Sequence, residues 1–99
     1  MSDFSLGARL RVSDDVVFRE LDGEAVILNL GSGTYFGLDE VGTRAWALIE
    51  AHGDLRAVYD TLLDEYDVPP DVLERDLIRL VSEMAGKGLV RRSDDANPS

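Results

Sequence analysis

The sequence contains no cysteine, one histidine, half as many basic as acidic residues and no long apolar run. Without cysteine the chain forms neither a disulfide nor a thiolate metal site. Ten Lys and Arg residues against 20 Asp and Glu residues give a formal net charge of −10, and the phosphates of nucleic acid repel such a protein. The missing cysteine also fits a reducing compartment, so we expect a cytoplasmic protein.

The sequence shows neither a targeting signal nor a membrane-spanning segment. Residues 1–4 lack the positive charge that opens a secretory signal, and no apolar region follows them. The longest uncharged segment, residues 25–38, is interrupted by glycines and is too short to span a bilayer. We therefore expect no membrane partner.

Length and apolar content limit the fold to a single domain. A chain of 99 residues, 44% of them apolar, is long enough to form one modest core. We expect residues 12–92 to form that domain. Residues 1–11 and 93–99 are predicted to be flexible tails.

Three strands are predicted within residues 16–38, which are rich in β-branched and aromatic side chains. Asp22-Gly23 is the expected sequence of a two-residue hairpin turn, and it separates strands over residues 16–21 and 25–30. A glycine-rich turn then leads to a third strand over residues 34–37. One face of the second strand carries three apolar residues, Val26, Leu28 and Leu30.

Three helices are predicted to follow, because the rest of the sequence is rich in Leu, Ala, Glu and Arg, with apolar residues at helical spacing. The residues predicted to bound these helices are, in chain order, Asp39, Gly53, Asp54, Tyr66, Pro70 and either Gly86 or Gly88. Leu89 and Val90 then add a short strand or pack beneath the third helix. The predicted fold is α+β and resembles a winged helix-turn-helix: a three-stranded antiparallel sheet followed by three helices.

Few residues support catalysis. His52 lies at the predicted end of the first helix, where it interacts with the helix dipole. No nucleophile elbow, zinc-protease motif or phosphate-binding loop occurs, and Gly31-Ser32-Gly33 is interpreted as a turn. The many neighbouring acidic residues are interpreted as solvated surface. The chain is therefore predicted to be no enzyme and to hold neither a cofactor nor a metal.

Two binding functions remain from the architecture. A winged-helix DNA-binding regulator is the alternative function, but its third helix should be basic. Here three basic residues are outnumbered by four acidic ones, namely Arg75, Arg79 and Lys87 against Asp71, Glu74, Asp76 and Glu83. The short third strand favours a different function, since an edge strand offers unpaired backbone groups to an extended peptide.

Several runs of residues resemble the PqqD-like family. The most specific run, residues 35–46, follows the pattern Tyr-Phe-x-Leu-Asp-x-x-Gly-x-x-x-Trp. Residues 25–30, 76–80 and 88–90 extend the resemblance, which covers about residues 12–91. Members of this family are RiPP recognition elements, small domains that bind the leader peptides of ribosomally made, post-translationally modified peptides.

The resemblance implies a binding site between the third strand and the third helix. The leader peptide is expected to add as a further strand, paired mainly with the backbone of Thr34, Tyr35 and Phe36. The groove beside it is expected to be lined by Val72, Leu73, Asp76, Arg79 and Leu80. Asp76 and Arg79 would fix the register of the leader by pairing with its polar groups.

Some of these residues have a second interpretation. Leu73 and Leu80 line the groove or belong to the core, and both interpretations stay open. Leu38, Val41 and Trp46 are expected in the core. Gly42 is expected to permit close helix packing.

The resemblance also implies partners. The chain looks like a stand-alone adaptor that binds a precursor leader peptide and presents it to a separate modifying enzyme, such as a radical SAM enzyme, or to a leader peptidase. Both a lasso-peptide pathway and a pyrroloquinoline quinone pathway fit. A monomer and a homodimer both stay open.

Overall fold

Five strands and three helices make up residues 4–93, the part of the chain that the computed structural model describes. In chain order these elements are β1 Leu10–Val12, β2 Val16–Leu21, β3 Glu24–Asn29, β4 Tyr35–Leu38, α1 Glu40–His52, α2 Leu55–Glu65, α3 Pro70–Gly86 and β5 Val90–Arg92. β2, β3 and β4 form an antiparallel sheet in that order, and β1 pairs antiparallel with β5. The predicted α+β class and the order of three strands and three helices are confirmed.

The β2–β3 hairpin turns at Asp22 and Gly23. Their φ angles are 56° and 81°, in the left-handed region that a two-residue hairpin turn of this type requires. The turn sets Leu21 opposite Glu24 and so determines the pairing along both strands. The predicted strand boundaries hold to within one residue.

The buried face of β3 carries Ala25 and Ile27. The prediction that Val26, Leu28 and Leu30 share a face of the second strand holds for Val26 and Leu28, and that face points away from the helices. Leu30 lies in the turn after β3. Val26 is 47% exposed and Leu30 is 61% exposed. Both faces of β3 are apolar, so the packing of the helices decides which one is covered.

The helix ends agree with the predicted caps. At the start of α1, Asp39 Oδ1 accepts a hydrogen bond of 2.8 Å from the N–H of Gly42. At its end, Gly53 adopts a φ of 72° and donates its N–H to the carbonyl of Ile49. Asp54 caps α2 in the same way as Asp39 caps α1, by accepting a hydrogen bond of 3.0 Å from the N–H of Arg56.

The core lies between the inner face of the sheet and the three helices. Trp46 is fully buried at its centre, as expected, and its ring stacks on that of Phe18 with a centroid distance of 6.4 Å. α3 adds a buried stripe at helical spacing, Leu73, Leu77, Val81 and Met84. None of the helices in residues 4–93 has the length and apolar character that crossing a membrane requires.

An ion pair joins α1 to α2 on the surface. Arg44 donates Nε and Nη2 to the two carboxylate oxygens of Glu65, at 2.9 and 2.6 Å. These hydrogen bonds hold the pKa of Glu65 below its ordinary value and raise the pKa of Arg44.

The segment before β2 packs against the domain. Leu6, Ala8 and Leu10 are buried at alternate positions, and Leu10 pairs with Arg92 across the β1–β5 ladder. Beyond this ladder the N–H of Ser93 donates to the carbonyl of Arg9 at 2.9 Å. The prediction of a flexible tail over residues 1–11 is therefore wrong for residues 6–11. Of the remainder of the predicted tails, residues 1–3 and 94–99 lie outside the described residues.

Candidate functional site

An open groove of about 630 Å³ lies between β4 and α3. Phe36 and Leu38 of β4 form one wall, and α3 forms the other. Six of the eight predicted site residues line it: Phe36, Val72, Leu73, Asp76, Arg79 and Leu80. Thr34 and Tyr35 are exposed and lie outside its lining.

The helical period of α3 explains which of its residues face the groove. Positions 72, 76, 80 and 83 follow one another at intervals of three or four residues and therefore share a face. Leu80 is half-buried on this face, beside the exposed Asp76 and Arg79. Leu73 is only 6% exposed and packs in the core cluster as well as lining the groove. Both interpretations of Leu73 therefore apply together.

β4 is an edge strand, and its hydrogen-bond pattern with β3 decides which of its backbone groups point to the open edge of the sheet. The N–H of Asn29 donates to the carbonyl of Thr34 at 2.8 Å, in register with the β3–β4 pairing. In an antiparallel pair the bonded positions alternate. The backbone groups of Phe36 therefore point to β3, and those of Tyr35 and Gly37 point to the open edge.

This alternation changes the roles within the third strand. Of the three residues expected to pair with a peptide backbone, Tyr35 directs its groups to the open edge. The carbonyl of Thr34 is already bonded to Asn29, and Phe36 contributes its side chain to the groove. Gly37 also directs its groups outward and was missed by the sequence analysis. The alternation identifies Gly37 only once the register of the β3–β4 pairing is known.

The start of α1 completes the groove. Val41 was expected in the core but is 38% exposed and lines the groove, whereas Leu38 is buried as expected. A Cβ at Gly42 would lie 3.1 Å from Leu38 Cδ2 and 3.2 Å from Asp39 Oδ1. Gly42 thus allows the start of α1 to pack closely against the end of β4. The close helix packing expected at Gly42 is therefore made to a strand, and not to a second helix.

The rim of the groove is mainly acidic. Asp39, Asp76 and Glu83 stand around it, with Arg79 as its basic residue. Arg75 lies near Asp76, but at 3.9 Å between exposed side chains this ion pair is weak. Among residues 4–93, no group of three or more His, Asp or Glu side chains is placed to hold a metal ion.

An open edge strand beside an apolar groove is the geometry of domains that accept an extended peptide as an added strand. The chain belongs to the PqqD family, because the family model described as coenzyme PQQ synthesis protein D matches residues 24–90.

Two solved structures are similar to this chain. TbiB1 in complex with the TbiA(beta) leader peptide has a TM-score of 0.76 and 37% identity, over 90% of this chain and 99% of that chain. A lasso peptide synthetase B1 complexed with the leader peptide has a TM-score of 0.65 and 24% identity, over 85% and 99% of the two chains. The second likeness supports the fold alone. No curated protein matches the chain.

Proposed function

We propose that this protein is a RiPP recognition element, which binds the leader of a ribosomal precursor peptide as an added strand on β4. The observation that carries the proposal is the open edge of β4 beside the apolar groove. The similarity to TbiB1, which was solved with a leader peptide, supports it. The acidic residues on α3 argue against DNA binding as the function.

Binding would combine backbone pairing with side-chain burial. The N–H and C=O groups of Tyr35 and Gly37 pair with the backbone of the incoming strand. Alternate leader side chains then point into the groove, because successive residues of a strand face opposite sides. There Phe36, Val72 and Leu80 offer apolar contact.

Charged residues on the rim would set the register of the leader. Asp76 and Arg79 are one turn apart on α3 and offer opposite charges to leader side chains. Three rim carboxylates and the net charge of −10 favour leaders with basic residues over acidic ones. Binding should therefore weaken as the salt concentration rises.

The proposed role is presentation of the precursor to a separate catalyst. A radical SAM enzyme and a leader peptidase both fit this role, as do a lasso-peptide and a pyrroloquinoline quinone pathway. The groove is lined by residues of a single chain, so the proposal holds for a monomer and a homodimer alike. A cytoplasmic location would place the adaptor with newly made precursor.

A titration tests the proposal. Isotope-labelled protein is titrated with the TbiA(beta) leader peptide and with precursor peptides encoded near this gene, and amide shifts are followed. We expect shifts at residues 34–37 and on α3. Leu80→Ser should lower the affinity about tenfold. Leu80 is half-buried in the free protein, so a leader would bury the other half of its side chain, and the serine loses about half of the free energy of a fully buried leucine.

Leu30→Ser is the matched control, since Leu30 is 61% exposed in the turn after β3 and does not line the groove. Thermal denaturation of both variants separates lost binding from lost folding. If no peptide shifts the amides of residues 34–37, strand addition to β4 is not the function.

A further inference from the structure

A notch on the outer face of the sheet lies at Gly37. The pairing register places Arg19 opposite Val26 and Val26 opposite Gly37, so these residues form one row across that face. A Cβ at Gly37 would meet no atom within 4 Å. A cavity of about 410 Å³ opens here, and Leu21 and Glu24 complete its outer side.

The backbone at position 37 does not require glycine. Its φ is not among the positive values found at other glycines, so any residue fits this strand conformation. Glycine also weakens a strand, and in strands it marks places where a ligand or another chain approaches closely. The missing side chain at Gly37 therefore leaves space for an approaching group.

The notch is continuous with the groove. Gly37, Leu38 and Asp39 line both cavities, so a strand lying along β4 borders each of them. Side chains of that strand alternate between the two faces of the sheet. Those on the outer face lie beside either Tyr35 or Gly37. Tyr35 occupies the surface next to it with its own ring, whereas Gly37 leaves the surface open.

We propose that the notch receives an aromatic side chain of the bound leader, at the position directly opposite Gly37. This inference rests on the proposed function, since it requires a strand on β4. An aromatic ring that leans over an edge glycine restores the cover that the glycine lacks. The ring would cover Val26, which is 47% exposed and directly opposite Gly37.

The size of the notch selects a large side chain. From the added strand to β3 there are two strand spacings, roughly 10 Å, and a short aliphatic side chain does not reach Val26 across them. Arg19 stands next in the row and can place its guanidinium over the ring. The competing occupant is a basic leader side chain that pairs with Glu24 or Asp39.

Parallel peptide selections test the notch. Random displayed peptides of about 16 residues, long enough for one strand and its flanks, are selected against the wild-type protein and against Gly37→Val. Valine fills the notch, favours a strand and meets open space. We expect wild-type binders to share apolar residues at alternate positions and an aromatic residue at one position between them. Binders of Gly37→Val should keep the first pattern and lose the aromatic residue.

Val17→Ser is the matched control, because Val17 is also exposed on the outer face but does not line the notch. Its binders should keep the aromatic residue. In a peptide selected on the wild type, replacing the aromatic residue by alanine should lower the affinity about fivefold, the size of a strong cross-strand pair. The same replacement should change the affinity for Gly37→Val less than about twofold.

The possible failures are distinct. Binders that shift the amides of residues 34–37 but show no aromatic preference overturn the notch and leave the proposed function intact. The same holds if a basic residue takes that position, or if Gly37→Val selects the aromatic residue equally well. If no selected peptide shifts those amides, the proposed function fails and the notch fails with it.

Discussion

Proline at position 35 tests the backbone pairing of β4 with a bound peptide separately from the side-chain packing of that strand. The N–H of Tyr35 points to the open edge, so Tyr35→Pro removes a donor that an added strand would use and leaves the β3–β4 ladder complete. One hydrogen bond contributes about 0.5–1.5 kcal/mol net, which corresponds to a roughly two- to thirteenfold loss of affinity. Phe36→Pro removes a donor of the ladder itself, so it should destabilise the fold.

Tyr35→Ala is the control, because it removes the same exposed ring and keeps the N–H. Fluorescence anisotropy with a labelled leader peptide measures the affinities, and thermal denaturation shows that both variants are folded. We expect Tyr35→Ala to bind the leader peptide roughly two- to thirteenfold more tightly than Tyr35→Pro. Equal affinities in two folded variants would refute backbone pairing at the edge of β4.

Two further predictions concern stability. Gly53→Ala should destabilise the protein in urea by more than about 1–2 kcal/mol, the cost of a left-handed conformation, since its Cβ would also lie 2.9 Å from the carbonyl oxygen of Leu10. Gly86→Ala, where a Cβ meets nothing within 4 Å, should show no such loss. Glu65→Gln should lower stability at pH 7, because the pKa of Glu65 is depressed in the folded state and its ion pair with Arg44 stabilises the protein above the unfolded pKa. The difference in the free energy of unfolding between Glu65→Gln and wild type should shrink as the pH falls through the folded pKa of Glu65. A difference that stays constant with pH would contradict this reasoning.

The features that sequence analysis predicted well are local ones. Asp22-Gly23 requires two left-handed residues in succession, and few structures other than a tight hairpin accept them. Asp39 and Asp54 each cap a helix through an N–H two or three residues away. In each case the interacting groups are neighbours in the chain, so the signal is complete within a short segment.

β1 was missed because its partner is distant in the chain. Leu6, Ala8 and Leu10 alternate with exposed residues, which is the period of a strand, but Leu10 pairs with Arg92. No local pattern indicates pairing over such a separation. The three-residue length of β1 weakened the signal further.

The candidate site was predicted in part. The family resemblance placed Asp76, Arg79 and Leu80 on the groove, and all three line it. Within β4, by contrast, successive residues alternate in where their backbone groups and side chains point. Predicting the range of the strand therefore does not predict the role of each residue in it. Gly37 became visible only when the register with β3 was known. Similarly, the exposure of Val41 depends on how α1 packs against β4, and helical periodicity alone does not predict it.

The β1–β5 ladder has a consequence for synthesis of the protein on the ribosome. β1 is made early, but its partner strand β5 leaves the ribosome only after all three helices have been made. Until then Leu10 lacks its cross-strand partner Arg92, although its N–H can already donate to the carbonyl of Gly53. The sheet of β2, β3 and β4, by contrast, draws only on residues made before the three helices, so its strands can pair before β5 has been made.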